Sequence, residues 1–97
     1  TQLKKGGLTD SEELLKILRP RKHAKACIFG HTHAWSLLRD ASGIHLINLP
    51  PTGYVFKQGM PNGWVHAKLS ENGATLKLNC LDQTHSQHGA KAELTWR

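Results

Sequence analysis

Apolar positions recur along this chain with two periods, and the change from one to the other divides it. Leu14, Leu15 and Leu18 fall on one face of a helix, which the spacing predicts from about Asp10 to Leu18. Thr9-Asp10-Ser11-Glu12 in front of them has the form of a capping box, with Thr9 as cap and Glu12 bonding back, and Pro20 stops the helix. From Lys25 onward the runs are shorter and the period is two. Lys25–Phe29 reads as a first strand, Trp35–Arg39 as a second and Ile44–Leu49 as a third. Asp40-Ala41-Ser42-Gly43 has turn chemistry, so the second and third strands are expected to pair as an antiparallel hairpin. Pro50-Pro51 ends the third, because proline cannot donate to a ladder. Tyr54-Val55-Phe56 reads as a short fourth strand. Trp64–Leu69 and Ala74–Leu81 flank the hairpin signal Glu71-Asn72-Gly73, the return strand alternating as Leu76, Leu78 and Cys80. Residues 82–89 are polar loop, and Lys91–Trp96 is a last strand, at an edge. Residues 1–8, with Lys4-Lys5-Gly6-Gly7, carry no period and read as a flexible lead.

The elements describe a β-rich α/β chain: a helix over 9–19, a β-rich stretch over 25–97 and mostly antiparallel strands in a layered sandwich. Ninety-seven residues suffice for one small domain, and no apolar run approaches the roughly 20 residues of a membrane span. The net charge of +6, from 13 Lys and Arg against 7 Asp and Glu, would suit an anionic partner. The basic residues are scattered, however, except at Arg19-Pro20-Arg21-Lys22, so nucleic acid is not the expected primary partner. The alternative function is a basic non-enzymatic β module for nucleic acid or a protein, with steep salt dependence as its sign. Cys27 and Cys80 sit in strand-like stretches as buried free thiols, which favours a reducing, cytoplasmic setting. Cys27 has no adjacent base to make it a nucleophile.

Candidate chemistry concentrates at Gly30-His31-Thr32-His33, directly after the apolar run Ala26-Cys27-Ile28-Phe29. Glycine lets the chain leave the strand in a conformation other residues resist, and the carboxyl ends of strands carry loops that do chemistry. Imidazoles at i and i+2 can reach one concave site, and neutral imidazole suits Zn, Mn and Fe. Thr32 between them is expected to point away from the face that carries the rings. Two imidazoles leave half of a four-coordinate shell empty. The bland reading is a pair of surface histidines, in a chain with 7 His. Of the others, His45 and His66 read as surface or groove residues and His23 as part of a basic loop. His85 and His88 stand at i and i+3, but in a loop rather than a helix. Thr52 and Tyr54 follow the proline-stiffened turn and could border a substrate. For at least two of Tyr54, Phe56 and Trp64, core packing is the expected role.

The motif resembles the last metal-binding motif, G-H-x-H, of the calcineurin-like metallophosphoesterases. The resemblance runs through Asn48-Leu49-Pro50-Pro51-Thr52-Gly53-Tyr54-Val55-Phe56 and Gly63-Trp64 to Asp82, His85, Gly89 and Leu94-Thr95-Trp96-Arg97, about residues 9 to 97. It implies two packed sheets flanked by helices, and a site of two divalent or trivalent metal ions (Mn, Fe or Zn) that hydrolyses phosphate esters. In that family pattern His31 would ligate one ion and His33 the other. The family's upstream Asp-x-His, bridging Asp, Gly-Asn-His and further His are absent from this sequence. The resemblance therefore implies the carboxyl-terminal segment of a larger enzyme, inactive alone, whose partners are a phosphate-ester substrate and the missing amino-terminal portion. An uncovered apolar face and free strand edges make a homodimer a further expectation.

Overall fold

The computed structural model describes residues 10–97. Its elements follow in the order α1 (Ser11–Leu18), β1 (Ala26–Phe29), β2 (Ser36–Arg39), β3 (His45–Asn48), β4 (Gly63–Leu69), β5 (Gly73–Cys80) and β6 (Lys91–Thr95). The lead over 1–8 and the Thr9 cap lie outside the described residues. Asp10 stands at the start of α1 without a side-chain capping bond, while Glu12 and Glu13 in the first turn and Lys16 in the last suit the helix dipole.

The strands form two three-stranded sheets, ordered β1-β3-β2 and β4-β5-β6. In the first, β3 pairs antiparallel with β2, as the hairpin reading expects, and parallel with β1, where Phe29 lies beside Asn48. The second is antiparallel throughout, with β6 on an edge. One helix with two mostly antiparallel sheets is the β-rich α/β architecture that the periodicity describes.

Side-chain alternation along β3 divides the core in two. Ile44 and Leu46 face α1 and pack on Leu15, with Leu18, Cys27 and Phe29 around them. Ile47 faces the other way and meets Ala74 and Leu76 of the second sheet, among Trp35, Leu37, Leu94 and Trp96. Helix, sheet and sheet therefore stack as layers, and all four residues of β3 are buried. Burial of a side chain such as Ile44 or Leu78, both fully enclosed, contributes about 1.5–3 kcal/mol each.

That double burial overturns the surface reading of His45. A strand between a helix and a sheet has no solvent face for its polar member, so His45 is buried and must find a partner inside. Its Nε2 donates to the Thr95 carbonyl at 2.8 Å, and Trp96 lies edge-on to the ring. His66, by contrast, is exposed on β4. Two cationic side chains hold α1 and its following turn against the sheets. Arg97 donates to the carbonyls of Leu18, Arg19, Arg21 and Ala24 at 3.3, 3.0, 2.7 and 3.0 Å. Arg19 grips Asp40, in the β2–β3 turn, through two bonds of 2.9 and 3.0 Å.

The expected strand at Tyr54-Val55-Phe56 is not formed; residues 49–62 are irregular. Pro50-Pro51 interrupts the ladder, and the Tyr54 carbonyl accepts from a side chain instead of a neighbouring strand. Nor are the aromatics core: Tyr54 and Phe56 are each 66% exposed and Trp64 54%.

Candidate metal centre

Because β1 and β3 run parallel, the loops that follow them leave the sheet at the same end, the end where α/β sheets place ligands. Gly30-His31-Thr32-His33 is the first loop and the stretch from Leu49 to Tyr54 the second. Together they line an open cavity of about 320 Å³, the first loop contributing His31 and His33 and the second Pro50, Thr52 and Tyr54. All four residues singled out for metal or substrate, His31, His33, Thr52 and Tyr54, thus line one hollow. A larger hollow of about 450 Å³ lies along the second sheet, near Ser70, Asn72 and Glu93, and neither histidine of the motif borders it.

The backbone of the histidine loop is strained. His31 has φ +81° and His33 φ +53°, both in the left-handed region, which costs a non-glycine residue about 1–2 kcal/mol. Gly30 does not have a positive φ, and a Cβ there would meet nothing within 4 Å. The expectation that glycine absorbs the unusual conformation is therefore corrected: the histidines themselves turn the chain out of β1.

The ring of His33 is fixed from several directions. Its Nδ1 lies 2.8 Å from the carbonyl oxygen of Tyr54. A carbonyl only accepts, so Nδ1 carries a proton, and in the neutral ring Nε2 is then the nitrogen with the lone pair. Phe56 stacks on one face with centroids 4.0 Å apart and planes 2° from parallel, and the Tyr54 ring meets it edge-on at 4.9 Å. A ring N–H given to a backbone carbonyl is the usual support for a ligating imidazole, because it sets both tautomer and orientation. The donor chemistry at His33 thus fits a metal ion. His31 lines the same cavity and is exposed to it.

Thr32, between the two, is turned to the sheet. Its hydroxyl accepts a hydrogen bond from Nδ2 of Asn48, while Oδ1 of that buried amide has no partner among the described residues. The sequence reading gives Asn48 no role of its own and counts Phe56 only among three aromatics expected mostly in the core. Asn48 left one signal, a polar residue ending the apolar strand His45-Leu46-Ile47-Asn48; Phe56 left none, since its contact depends on the path of the second loop.

Other candidate ligands are committed elsewhere. His85 donates from Nε2 to the Gly59 carbonyl at 2.9 Å and accepts the Gln87 amide on Nδ1 at 3.0 Å. His88 accepts the Cys80 amide on Nδ1 at 3.0 Å. The two rings brace the 82–89 turn rather than chelate. Burial pushes the thiols of Cys27 and Cys80 up, with the charge of Asp82 adding to the effect at Cys80, so neither is a ready thiolate. Among the described residues no group of three or more His, Cys, Asp or Glu is placed to hold a metal ion, and no helix is long and apolar enough to cross a membrane. His31 and His33 can provide only part of a coordination shell.

No protein-family model and no curated protein matches the chain. Two solved structures resemble it. A dimetal phosphatase from Danio rerio aligns with 91% of this chain and 25% of its own, at TM-score 0.66 and 22% identity. A predicted phosphoesterase from Streptococcus pneumoniae aligns with 84% of this chain and 45% of its own, at TM-score 0.59 and 13% identity. The chain thus spans a quarter of the one and less than half of the other, and at these identities the likeness is one of fold. Its helix and paired sheets form a β-rich part of the calcineurin-like phosphoesterase fold.

Proposed function

We propose that this chain supplies two imidazole ligands, His31 and His33, to a dinuclear metal site that hydrolyses phosphate esters. The observation that carries the reading is the Nδ1–H of His33 held by the Tyr54 carbonyl, which leaves Nε2 free on the wall of a cavity shared with His31. With one imidazole for each ion, most of both coordination shells is left to ligands outside these residues, which we place in an amino-terminal portion of the same enzyme. Divalent or trivalent ions such as Mn, Fe or Zn, when bound, would supply a water acidic enough to serve as nucleophile near neutral pH and would clamp the phosphate oxygens. The part played by this chain is to hold His31 and His33 as neutral ligands and to offer Thr52 and Tyr54 along the substrate side of the cavity. The dimetal phosphatase likeness agrees with this reading.

In the complete enzyme, His31→Ala and His33→Ala should each lower both metal content, read by mass spectrometry, and turnover of a chromogenic phosphodiester by a factor of 10 or more. His85→Ala and His88→Ala, whose side chains do not line the cavity, should keep full metal content. The isolated chain, given Mn or Zn, should not exceed its His31→Ala, His33→Ala double variant. Full metal loading in both single histidine variants would sink the assignment.

A further inference from the structure

Asn48 ends β3 directly beside Phe29, the last residue of β1 before the histidine loop departs. It is 2% exposed, and among the described residues only its amide nitrogen has a partner. Leaving a buried acceptor unmet costs about 1–3 kcal/mol, a cost that an apolar residue at this position would avoid. The bond it does make lands on Thr32, the residue between two histidines that both hold left-handed backbone. Such conformations persist only where the surroundings over-determine them. On the cavity side, Tyr54 and Phe56 restrain the His33 ring. On the sheet side, the restraint is the amide of Asn48.

We infer that Asn48 and Thr32 are positioning residues for the histidine pair. Their hydrogen bond pins residue 32 to the end of β3, so that residues 31 and 33 present their rings together on the cavity wall. Because β3 is buried between helix and second sheet, its end is a rigid anchor, whereas the loop itself has no ladder to hold it. The inference rests on the reading of His31 and His33 as metal ligands.

The test uses the 97-residue chain and two readouts that need no turnover. Imidazole nitrogen spectra report the tautomer of each histidine, and a Zn(II) titration followed on the same signals reports affinity. Thr32→Val removes the hydroxyl and keeps the shape, Thr32→Ser keeps the hydroxyl, and Asn48→Ala removes the donor. Thr32→Val and Asn48→Ala should lose the single Nδ1–H tautomer of His33 and bind Zn(II) at least about tenfold more weakly, the usual effect of removing support from a ligand. Thr32→Ser should restore both, which a general loss of packing would not allow. If Asn48→Ala fails to fold, Thr32→Val decides alone. If the isolated pair is too weak to saturate, the tautomer spectra decide. Thr32→Val with the parent's tautomer and affinity overturns the inference; if His31→Ala and His33→Ala still abolish Zn(II) binding, the ligand reading survives that failure. Zn(II) affinity unmoved by either histidine substitution strikes the ligand reading itself, and the inference falls with it.

Discussion

Replacing Arg97 by alanine isolates the device that holds α1 to the sheets. Its guanidinium donates to the carbonyls of Leu18, Arg19, Arg21 and Ala24 at distances between 2.7 and 3.3 Å. Two of these acceptors belong to the end of the helix, where the last carbonyls have no partner within the helix. A hydrogen bond to a charged group contributes about 1.5–3 kcal/mol, so four would total roughly 6–12 kcal/mol gross. Water recovers much of that, because these carbonyls lie at or near the surface. Alanine has no rotamers to order on folding, so the variant also avoids about 1.5–2 kcal/mol of side-chain entropy cost. A net loss of about 2–4 kcal/mol remains, a large part of the roughly 5–15 kcal/mol that stabilises a small domain. For a chain of this size each kcal/mol moves the melting point by about 4–8 °C, so Arg97→Ala should melt roughly 8–30 °C lower. Arg97→Lys keeps the charge but exchanges a planar fork for a single ammonium, and should recover less than half of the loss. Urea and thermal unfolding by circular dichroism measure both. An Arg97→Ala chain within about 0.5 kcal/mol of the parent, the range of an ordinary surface substitution, would refute the clamp.

Acid should release the second tie. The Arg19 guanidinium and then the Ser42 hydroxyl hold the Asp40 carboxyl well below the usual carboxylate range, so its contribution is complete above about pH 4, its unfolded value, and is lost as pH falls through the lower folded one. Asp40→Asn should therefore flatten the acid limb of a stability–pH curve, and an unchanged limb would discard the pair as a source of stability. At Gly63 an added Cβ would lie 2.0 Å from the Asn79 carbonyl oxygen across the ladder, so Gly63→Ala should cost about 1–3 kcal/mol in denaturant unfolding. Strain at the histidine loop predicts that His31→Gly and His33→Gly are each more stable than their alanine counterparts by about 1 kcal/mol; equal or lower stability would mean the left-handed backbone stores none.

Periodicity was a sound guide wherever one face of an element is dry and the other wet. The alternation Leu76, Leu78, Cys80 and the Glu71-Asn72-Gly73 turn describe the β4–β5 hairpin within a residue or two of its observed limits. Where both faces are dry the signal fails, and β3 shows why. His45 follows Ile44 and precedes Leu46, a pattern equally consistent with a solvent face and with a buried ring bonded to Thr95, and only the second sheet decides between them. The parallel β1–β3 pair was illegible for a related reason, since residue types do not state which strand lies beside which. The Tyr54-Val55-Phe56 run has strand composition and no strand, because Pro50-Pro51 carries it off the ladder and its aromatics find partners in each other and in His33.

At the candidate site, composition and order were legible while the mechanics were not. An apolar strand followed by Gly-His-Thr-His can be read directly, as can the proline turn that lines the same cavity. What the residues do not announce is where the strain resides. Glycine is the residue that tolerates left-handed backbone, yet here Gly30 stands in open space and the two histidines take that conformation. A sequence selected for stability alone would exchange these places, because two left-handed histidines and a half-satisfied buried amide each oppose folding. All three unfavourable features lie within one loop and the strand end beneath it, at the rim of the cavity that Thr52 and Tyr54 also line. Three local rules fail together at this one place, which agrees with the ligand role proposed for His31 and His33. The fold absorbs that strain because β3 is buried along its whole length and paired on both sides, and both loops are anchored to it or to its parallel neighbour.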